Sequence, residues 1–326
     1  MKAFVLEYGD QKMKEMEDPV AEQNEVVVSL RAAGLNRRDL YIPNRWGSEK
    51  EALILGSDGA GVVESVGQGV KRFKIGDEVI LNPSLHWYEN TDAPPSNFDI
   101  IGMPGHGTFA EKIVISEEQL EPKPAHLTWE EAGVLALSAL TGYRAMFTKG
   151  NLKPGETVFI PGAGGGVVTY LIQFAKNIGA KVIVTSRDKE KQRKAKELGA
   201  DIAIDTNSDW KKELVDEVVD LVIESVGGDT FNRSLDILKK GGRMVTFGSS
   251  TEDVVPFDLR KFFYGQYKFF GSTMGSREEL RGMIKHIETY NMQPVVDRTF
   301  PLDEAQEALG YIRDSKQFGK VAISIE

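Results

Sequence analysis

The stretch Thr157–Arg187, which reads TVFIPGAGGGVVTYLIQFAKNIGAKVIVTSR, decides the fold of this chain. A short β-prone apolar run, Thr157–Pro161, leads directly into four glycines, and apolar residues at helical spacing follow until Gly179. A second apolar run, Lys181–Thr185, completes the unit. Strand, glycine-rich turn, helix and strand within about 30 residues form the context in which a glycine turn binds a dinucleotide.

The glycine turn is predicted to hold a pyrophosphate. Its backbone N–H groups approach the phosphates closely, and the start of the following helix favours negative charge. The predicted binding residues are Gly162, Gly164, Gly165 and Gly166.

The end of the second strand favours NADP over NAD. An NAD site usually places Asp or Glu here to bind the ribose 2′-hydroxyl. This chain has Ser186 and Arg187, with Lys191 one turn into the next helix, and these groups bind a 2′-phosphate. The alternative is that both cations are solvated charges at a helix start. Asp188 is the nearest carboxylate, and it would weaken the preference.

Length and composition limit the classes of protein. The 326 residues suggest two domains, with 41% hydrophobic and 27% charged residues as in soluble globular proteins. A net charge of −9 disfavours nucleic-acid binding, and no apolar run has the length of a membrane span. The chain has no cysteine, and its N-terminus shows no signal-peptide pattern, which together favour the cytoplasm.

The second half of the chain alternates strands and helices, which predicts a doubly wound parallel sheet of class α/β. Its ligand is expected at the carboxyl ends of the strands, where strand order reverses. The predicted strands are Thr157–Pro161, Lys181–Thr185, Ile202–Asp205, Asp220–Glu224, Arg243–Phe247 and Tyr267–Phe270.

The first part of the chain, 1–124, has short alternating strands between glycine turns and predicts a compact β domain. The segment Asn82–Gly107 is a long loop. A helix is predicted to open at Thr128, with Glu131 completing a capping box, and to run towards Lys149. The final strand, Lys320–Ile325, is expected to pair with the first domain.

Several short motifs occur in a recognisable order: Gly56–Val63, Gly76-Asp77-Glu78-Val79, Thr141-Gly142-Tyr143 and Phe318-Gly319-Lys320. With the glycine turn, they resemble the medium-chain dehydrogenase/reductase superfamily. The resemblance implies a GroES-like β-barrel catalytic domain, 1–124 with 271–326, and a Rossmann NADP-binding domain, 125–270.

Zinc enzymes of this superfamily bind a catalytic metal through residues that differ here. The first Cys ligand aligns with Asn36, the His-Glu pair with Ser57-Asp58, and the second Cys with Leu137. Zinc needs about four Cys, His or carboxylate ligands. No metal site is therefore predicted, although His86 and His106 remain an alternative if they join Asp58.

The chain is more similar to the quinone oxidoreductase-like branch. Asn36–Tyr41 resembles the Asn-x-x-Asp-x-Tyr segment of that branch, which implies that Asn36 and Tyr41 are catalytic. The glycine turn resembles its Gly-x-x-Gly-Gly-Val motif and adds Val167 to the cofactor-binding residues. One departure is Val168, where the branch usually has glycine.

Further cofactor contacts follow from the strand ends and from family position. These residues are Thr141, Phe247, Gly248, Ser249 and Ser272. Structural turns explain each of the glycines equally well, so only the set is informative.

The predicted reaction is hydride transfer from NADPH to a quinone or an α,β-unsaturated carbonyl, because conjugation spreads the developing charge without a metal. Asn36 and Tyr41 would donate hydrogen bonds to the carbonyl oxygen. Alternatively, Asn36 holds a turn, Tyr41 packs, and Asp39 is a cap.

Two other functions remain open: an alcohol or aldehyde dehydrogenase, and an NADPH-binding protein with little turnover. The small-molecule substrate is not identified by the sequence. A homodimer is expected, because Arg243–Phe247 and Tyr267–Phe270 are interpreted as edge strands of the nucleotide sheet.

Overall fold

A computed structural model describes residues 1–48 and 50–326 and divides into two compact units. The first unit is Met1–Leu140 with Gly275–Glu326, and the second is Thr141–Met274. The first unit therefore includes 125–140, a segment that the sequence analysis groups with the nucleotide-binding domain.

The strands and helices are numbered along the chain. The strands are β1 Lys2–Glu7, β2 Asp10–Glu15, β3 Glu25–Gly34, β4 Leu53–Ile54, β5 Asp58–Val66, β6 Glu78–Leu81, β7 Ser84–Leu85, β8 Asp99–Ile100, β9 Lys112–Ser116, β10 Leu120–Pro122, β11 Thr157–Ile160, β12 Lys181–Ser186, β13 Ile202–Asp205, β14 Val219–Glu224, β15 Leu238–Thr246, β16 Lys268–Gly271, β17 Val296–Pro301 and β18 Lys320–Ser324. The α-helices are α1 Ile42–Trp46, α2 Trp129–Gly133, α3 Ala136–Tyr143, α4 Gly166–Asn177, α5 Lys189–Leu198, α6 Trp210–Glu213, α7 Gly228–Ile237, α8 Leu259–Gly265, α9 Arg277–Thr289 and α10 Ala305–Arg313.

The first unit is built around the long strand β3. The first half of β3 pairs with β9, its second half pairs with β18, and β5 pairs along most of its length. The resulting sheet has the order β10-β6-β5-β3-β18-β17, with β9 beside β3. The prediction that the last strand pairs with the first domain is confirmed.

The core of the first unit lies between these strands and α10. Most residues of β3 are buried, and so is the first half of β5. Val26, Val28 and Leu30 of β3 belong to this core, together with Phe109, which precedes β9. The sequence analysis did not predict the hairpin of β1 and β2, whose second strand is mostly polar (DQKMKE).

The second unit contains a parallel sheet of six strands in the order β13-β12-β11-β14-β15-β16. The prediction of a doubly wound sheet is confirmed. Strand order reverses between β11 and β14, so their carboxyl ends mark the expected ligand position. The interpretation of Arg243–Phe247 as an edge strand is wrong, because β15 lies between β14 and β16. The edges are β13 and β16.

The helix predicted from Thr128 is shorter than expected. Thr128 and Glu131 form the predicted capping box, with the Glu131 N–H donating to the Thr128 hydroxyl at 3.3 Å. The helix ends at Gly133, and α3 then leads into a π-helix over Arg144–Lys149.

Two glycines bring α2 against β3. A Cβ on Gly34 would lie 2.7 Å from the carbonyl oxygen of Gly133, and one on Gly133 would lie 2.8 Å from the backbone of Ala32. This contact positions the chain that follows α2, including Leu137 and Ser138. Within residues 1–48 and 50–326, no helix is both long enough and apolar enough to span a membrane.

Candidate active site

The glycine turn of the second unit connects β11 to α4 at the point where strand order reverses. Gly162 has a φ of +85°, which favours glycine, and α4 starts at Gly166 with Gly165 as its N-cap. The turn is fixed to the neighbouring strand, since the Ala163 N–H donates to the Thr185 carbonyl at 2.7 Å. Among the described residues, no side chain caps the start of α4, so its first N–H groups have no capping partner there.

The residues predicted to bind the 2′-phosphate lie at the end of β12. The Lys191 side chain crosses the glycine turn, because a Cβ on Gly164 would lie 2.7 Å from Lys191 Cδ and 3.1 Å from its Nζ. Arg187 is exposed. The Ser186 hydroxyl accepts from the Asp188 N–H at 3.1 Å and keeps its own hydrogen available.

Asp188 does not compete for this position. Its carboxylate accepts from the N–H groups of Glu190 at 2.8 Å and Lys191 at 3.3 Å, which makes it the N-cap of α5. The Asp188 carboxylate is therefore committed to the start of α5.

The other predicted cofactor residues lie at the ends of β15 and β16 or at the start of the second unit. Gly248 and Ser249 are exposed, Phe247 is half-buried, and Thr141 is buried. The Ser272 N–H donates to the Thr246 carbonyl at 2.8 Å. Its hydroxyl is buried and has no hydrogen-bond partner among the described residues.

Glu224 was not identified by the sequence analysis. This fully buried carboxylate ends β14 and accepts from the Val226 N–H at 2.7 Å, the Gly227 N–H at 3.2 Å and the hydroxyls of Thr230 and Ser234 at 3.1 and 3.0 Å. It therefore fixes the turn at Gly227 and Gly228, beside the glycine turn of β11. An acidic residue ending an apolar strand is the signal that could have found it.

In the first unit, a buried polar cluster forms around Asn36. The Asn36 Nδ2 donates to Asp58 Oδ2 at 2.9 Å and to the Gly34 carbonyl at 3.3 Å. Its Oδ1 accepts from Lys320 Nζ at 2.6 Å and from the Ser138 hydroxyl at 3.2 Å. Both amide hydrogens of Asn36 are therefore used inside the protein.

Asp58 and Lys320 form the centre of this cluster. Asp58 is fully buried, and its Oδ1 accepts from the Leu137 N–H at 2.6 Å. Lys320 Nζ lies 3.3 Å from Asp58 Oδ2. Burial lowers the pKa of Lys320, while Asp58 and Asp39 oppose that shift.

Arg38 and Asp39 extend the cluster along a 3₁₀ helix, Arg37–Leu40. Arg38 Nη1 donates to the Ser57 hydroxyl and to the Ile101 carbonyl, the latter at 3.0 Å. The Asp39 carboxylate accepts from the Asn36 N–H at 2.7 Å, which supports the interpretation of Asp39 as a cap. Burial raises the pKa of Asp39 to about 6, against the attraction of Arg38.

Tyr41 follows this helix and differs from its buried neighbours. It is 44% exposed, and within the described chain no group hydrogen-bonds its hydroxyl. Tyr41 can therefore offer a free O–H donor, whereas Asn36 cannot offer a free N–H.

Sequence comparison supports the resemblance. The alcohol dehydrogenase GroES-like domain model matches residues 22–125, and the zinc-binding dehydrogenase model matches 166–289. A zinc-type alcohol dehydrogenase-like protein of Leptosphaeria maculans is 33% identical over 94% of this chain and 92% of its own length. The chain belongs to the medium-chain dehydrogenase/reductase superfamily.

Other members of the superfamily are similarly close. The acryloyl-coenzyme A reductase of Sulfurisphaera tokodaii is 31% identical over 99% of both chains. The crystal structure of an NAD-dependent alcohol dehydrogenase superposes with a TM-score of 0.92, at 32% identity and complete coverage of both chains. A 2-octenoyl-CoA carboxylase reductase, solved with NADP and 2-octenoyl-CoA, has a TM-score of 0.90 at 29% identity, covering 99% of this chain and 87% of the other.

These findings confirm the predicted superfamily and its two folds, the GroES-like domain and the Rossmann-type sheet.

The zinc ion of some members does not fit the residues present here. Both oxygens of Asp58 and the amide oxygen of Asn36 are bound by N–H groups or an ammonium, and Leu137 has no donor side chain. Across the described residues, no three His, Cys, Asp or Glu side chains converge as metal ligands. His106 is used elsewhere, since its Nδ1 accepts from the Ile54 N–H at 3.2 Å.

The raised pKa of Asp39 predicts a pH-dependent stability difference. The folded chain binds this proton more tightly than the unfolded chain, so stability is lost as pH rises from about 4 through 6. Asp39→Asn keeps an acceptor for the Asn36 N–H and does not titrate. We expect its free energy of unfolding, relative to wild type, to improve by about 2 kcal/mol between pH 4 and pH 7.

The measurement is urea unfolding at both pH values. Arg38, Lys320 and Asp58 face the same carboxyl and are unchanged in both proteins. Asp303→Asn, an exposed aspartate of the same unit, controls for the loss of one negative charge. If the free energies of unfolding of Asp39→Asn and wild type differ by the same amount at both pH values, burial does not raise the pKa of Asp39.

Proposed function

We propose that this oxidoreductase reduces an α,β-unsaturated carbonyl compound or a quinone with NADPH and without a metal. The observation that supports this most strongly is the occupation of Asn36 and Asp58 by the Lys320 ammonium. The resemblance implies that Asn36 stands in place of a Cys ligand of zinc members and that Asp58 belongs to the pair in place of their His-Glu. A simple ketone needs a Lewis acid to stabilise the developing oxyanion, whereas a conjugated acceptor spreads that charge over its own atoms.

The relatives support the conjugated-carbonyl alternative. Acryloyl-coenzyme A and 2-octenoyl-CoA, in the names of two of them, are α,β-unsaturated thioesters. In such a substrate the β carbon accepts a hydride and the α carbon accepts a proton, which gives the saturated product. Quinone reduction remains part of the proposal because it has the same electronic requirement.

The cofactor is NADP(H), in agreement with the NADP complex among the structural neighbours. When bound, it supplies the hydride. The start of α4 and the glycine turn would hold its pyrophosphate, and Ser186, Arg187 and Lys191 would hold its 2′-phosphate. Val167, Thr141 and the strand-end residues Phe247, Gly248, Ser249 and Ser272 would contact the remainder.

Tyr41 is the proposed donor to the substrate carbonyl. Its hydroxyl is free, and it can stabilise the oxygen as negative charge develops. Asn36 has no spare N–H, so we assign it a role in holding the segment that carries Tyr41. The proton on the α carbon comes from Tyr41 or from solvent.

The reaction is tested by following NADPH oxidation with a panel of enones, enoyl thioesters, quinones and aldehydes. We expect turnover of conjugated acceptors and little turnover of simple aldehydes. Tyr41→Phe should lower kcat/KM for conjugated acceptors about tenfold or more, because one hydrogen bond to a charged oxygen is lost.

The other outcomes identify the alternatives. Preferred aldehyde reduction that requires added zinc would favour an alcohol dehydrogenase. Tight NADPH binding without any turnover would favour a non-catalytic role. An unchanged kcat/KM in Tyr41→Phe across the panel would remove Tyr41 from the mechanism.

Cofactor selectivity is tested with Arg187→Ala/Lys191→Ala. Losing two hydrogen bonds to a phosphate should reduce the preference for NADPH over NADH by about a hundredfold. The measurement is kcat/KM for each cofactor with one fixed acceptor. Arg193→Ala is the matched control, because Arg193 lies on the same helix and pairs with Glu190 and Glu197. If the double variant keeps the wild-type preference for NADPH over NADH, Arg187 and Lys191 do not bind the 2′-phosphate.

The proposed homodimer uses the edge strand β16. Next to it, α8 exposes Leu259 by 68%, Phe263 by 52% and Tyr264 by 67%. An unpaired edge beside exposed apolar side chains favours association with a second copy. Sedimentation should give twice the mass of one chain, and Phe263→Asp should give a monomer. Val215→Asp, at another exposed apolar position of the second unit, should remain dimeric.

A further inference from the structure

The buried ammonium of Lys320 is surrounded by four oxygen atoms from three separate segments. Its Nζ lies 2.6 Å from Asn36 Oδ1, 2.8 Å from the Leu35 carbonyl, 3.0 Å from the Ser138 hydroxyl and 3.3 Å from Asp58 Oδ2. We call these four atoms the oxygen cage. Lys320 itself is 3% exposed. The arrangement of several oxygens around one positive charge is that of a bound cation.

The oxygen cage also determines how Asn36 is oriented. An amide can be turned by half a revolution, which exchanges its oxygen and nitrogen. The ammonium only donates, so the oxygen of Asn36 must face Lys320 and its Nδ2 must face Asp58. Asp58 in turn binds the Leu137 N–H. The ammonium of Lys320 therefore fixes three segments of the first unit, which contain Asn36, Asp58 and Leu137.

We propose that Lys320 is the positioning residue of this site and that its ammonium takes the place of a bound cation. It holds Asn36 and, through the 3₁₀ helix that Asn36 begins, the segment that ends at Tyr41. The expected effect on turnover rests on the proposed function. The expected binding of a free cation in place of the Lys320 side chain does not.

The first arm asks whether the oxygen cage binds a free cation once the side chain is removed. Lys320→Ala removes three methylene groups and the ammonium, which propylammonium matches in size and charge. We expect the melting temperature of this variant to fall, and propylammonium to raise it again. Propanol, which has the same length without the charge, should not. Equal effects of the two compounds would overturn the proposal, and so would no effect of propylammonium.

The second arm measures turnover of an enone or enoyl thioester. Lys320→Ala should lower kcat about tenfold or more, as for groups that orient a catalytic residue. Propylammonium should restore kcat, and the Kd for NADPH should stay unchanged because its proposed site lies in the second unit. An unchanged kcat would overturn the positioning role. Absence of turnover in the wild-type protein would instead contradict the proposed function, while the melting-temperature arm would still test the oxygen cage.

Two further variants separate positioning from folding. Lys320→Met/Asp58→Asn removes both buried charges together, so it avoids an unpaired carboxylate. We expect it to fold and to keep the low kcat with or without propylammonium; full activity would overturn the proposal. Lys123→Ala is the matched control, since the Lys123 side chain is 7% exposed in the same unit and pairs with Glu78. Propylammonium should not raise its kcat or melting temperature.

Discussion

One buried ammonium organises the first unit. Transferring an ammonium and a carboxylate from water costs several kcal/mol per ion, which their attraction offsets only if the remaining hydrogen bonds are made. Here Lys320 and Asp58 each have several partners, and Asn36 connects them. Lys320 and Asn36 are 284 positions apart. The register of β18 against β3 is therefore tightly set, because a slip by one residue would turn the Lys320 side chain to the other face.

The second unit uses a buried carboxylate in a different way. Glu224 accepts from two backbone N–H groups and two hydroxyls, all of them uncharged donors. Such bonds stabilise a carboxylate as effectively as a modest ion pair does. They also hold the turn after β14 next to the glycine turn after β11. Both turns lie where strand order reverses, which is the position expected for a dinucleotide.

The sequence predicted the parallel sheet well because most of its strands are short apolar runs that alternate with helices. It missed β2, since an edge strand with polar residues on most positions has no period to detect. It also misjudged Arg243–Phe247, because chain order does not determine spatial order.

At the site, Asn36, Tyr41 and Asp58 were found from local motifs. Lys320 and Ser138 were not assigned, because their proximity to Asn36 depends on long-range pairing. A lysine that opens an otherwise apolar strand, KVAIS, was the available signal.

The pairing of β18 has a consequence for how the chain matures. The strand lies inside the sheet of the first unit, between β3 and β17, so that sheet stays open until Lys320–Ser324 has left the ribosome. The second unit, Thr141–Met274, contains all six strands of its own sheet and can fold much earlier. During synthesis, the nascent β3 thus presents an unpaired edge over its second half for most of the time translation takes. The long-range contacts that close it are those with the highest loop-closure entropy. Chaperone binding to the nascent chain would be concentrated on this open edge.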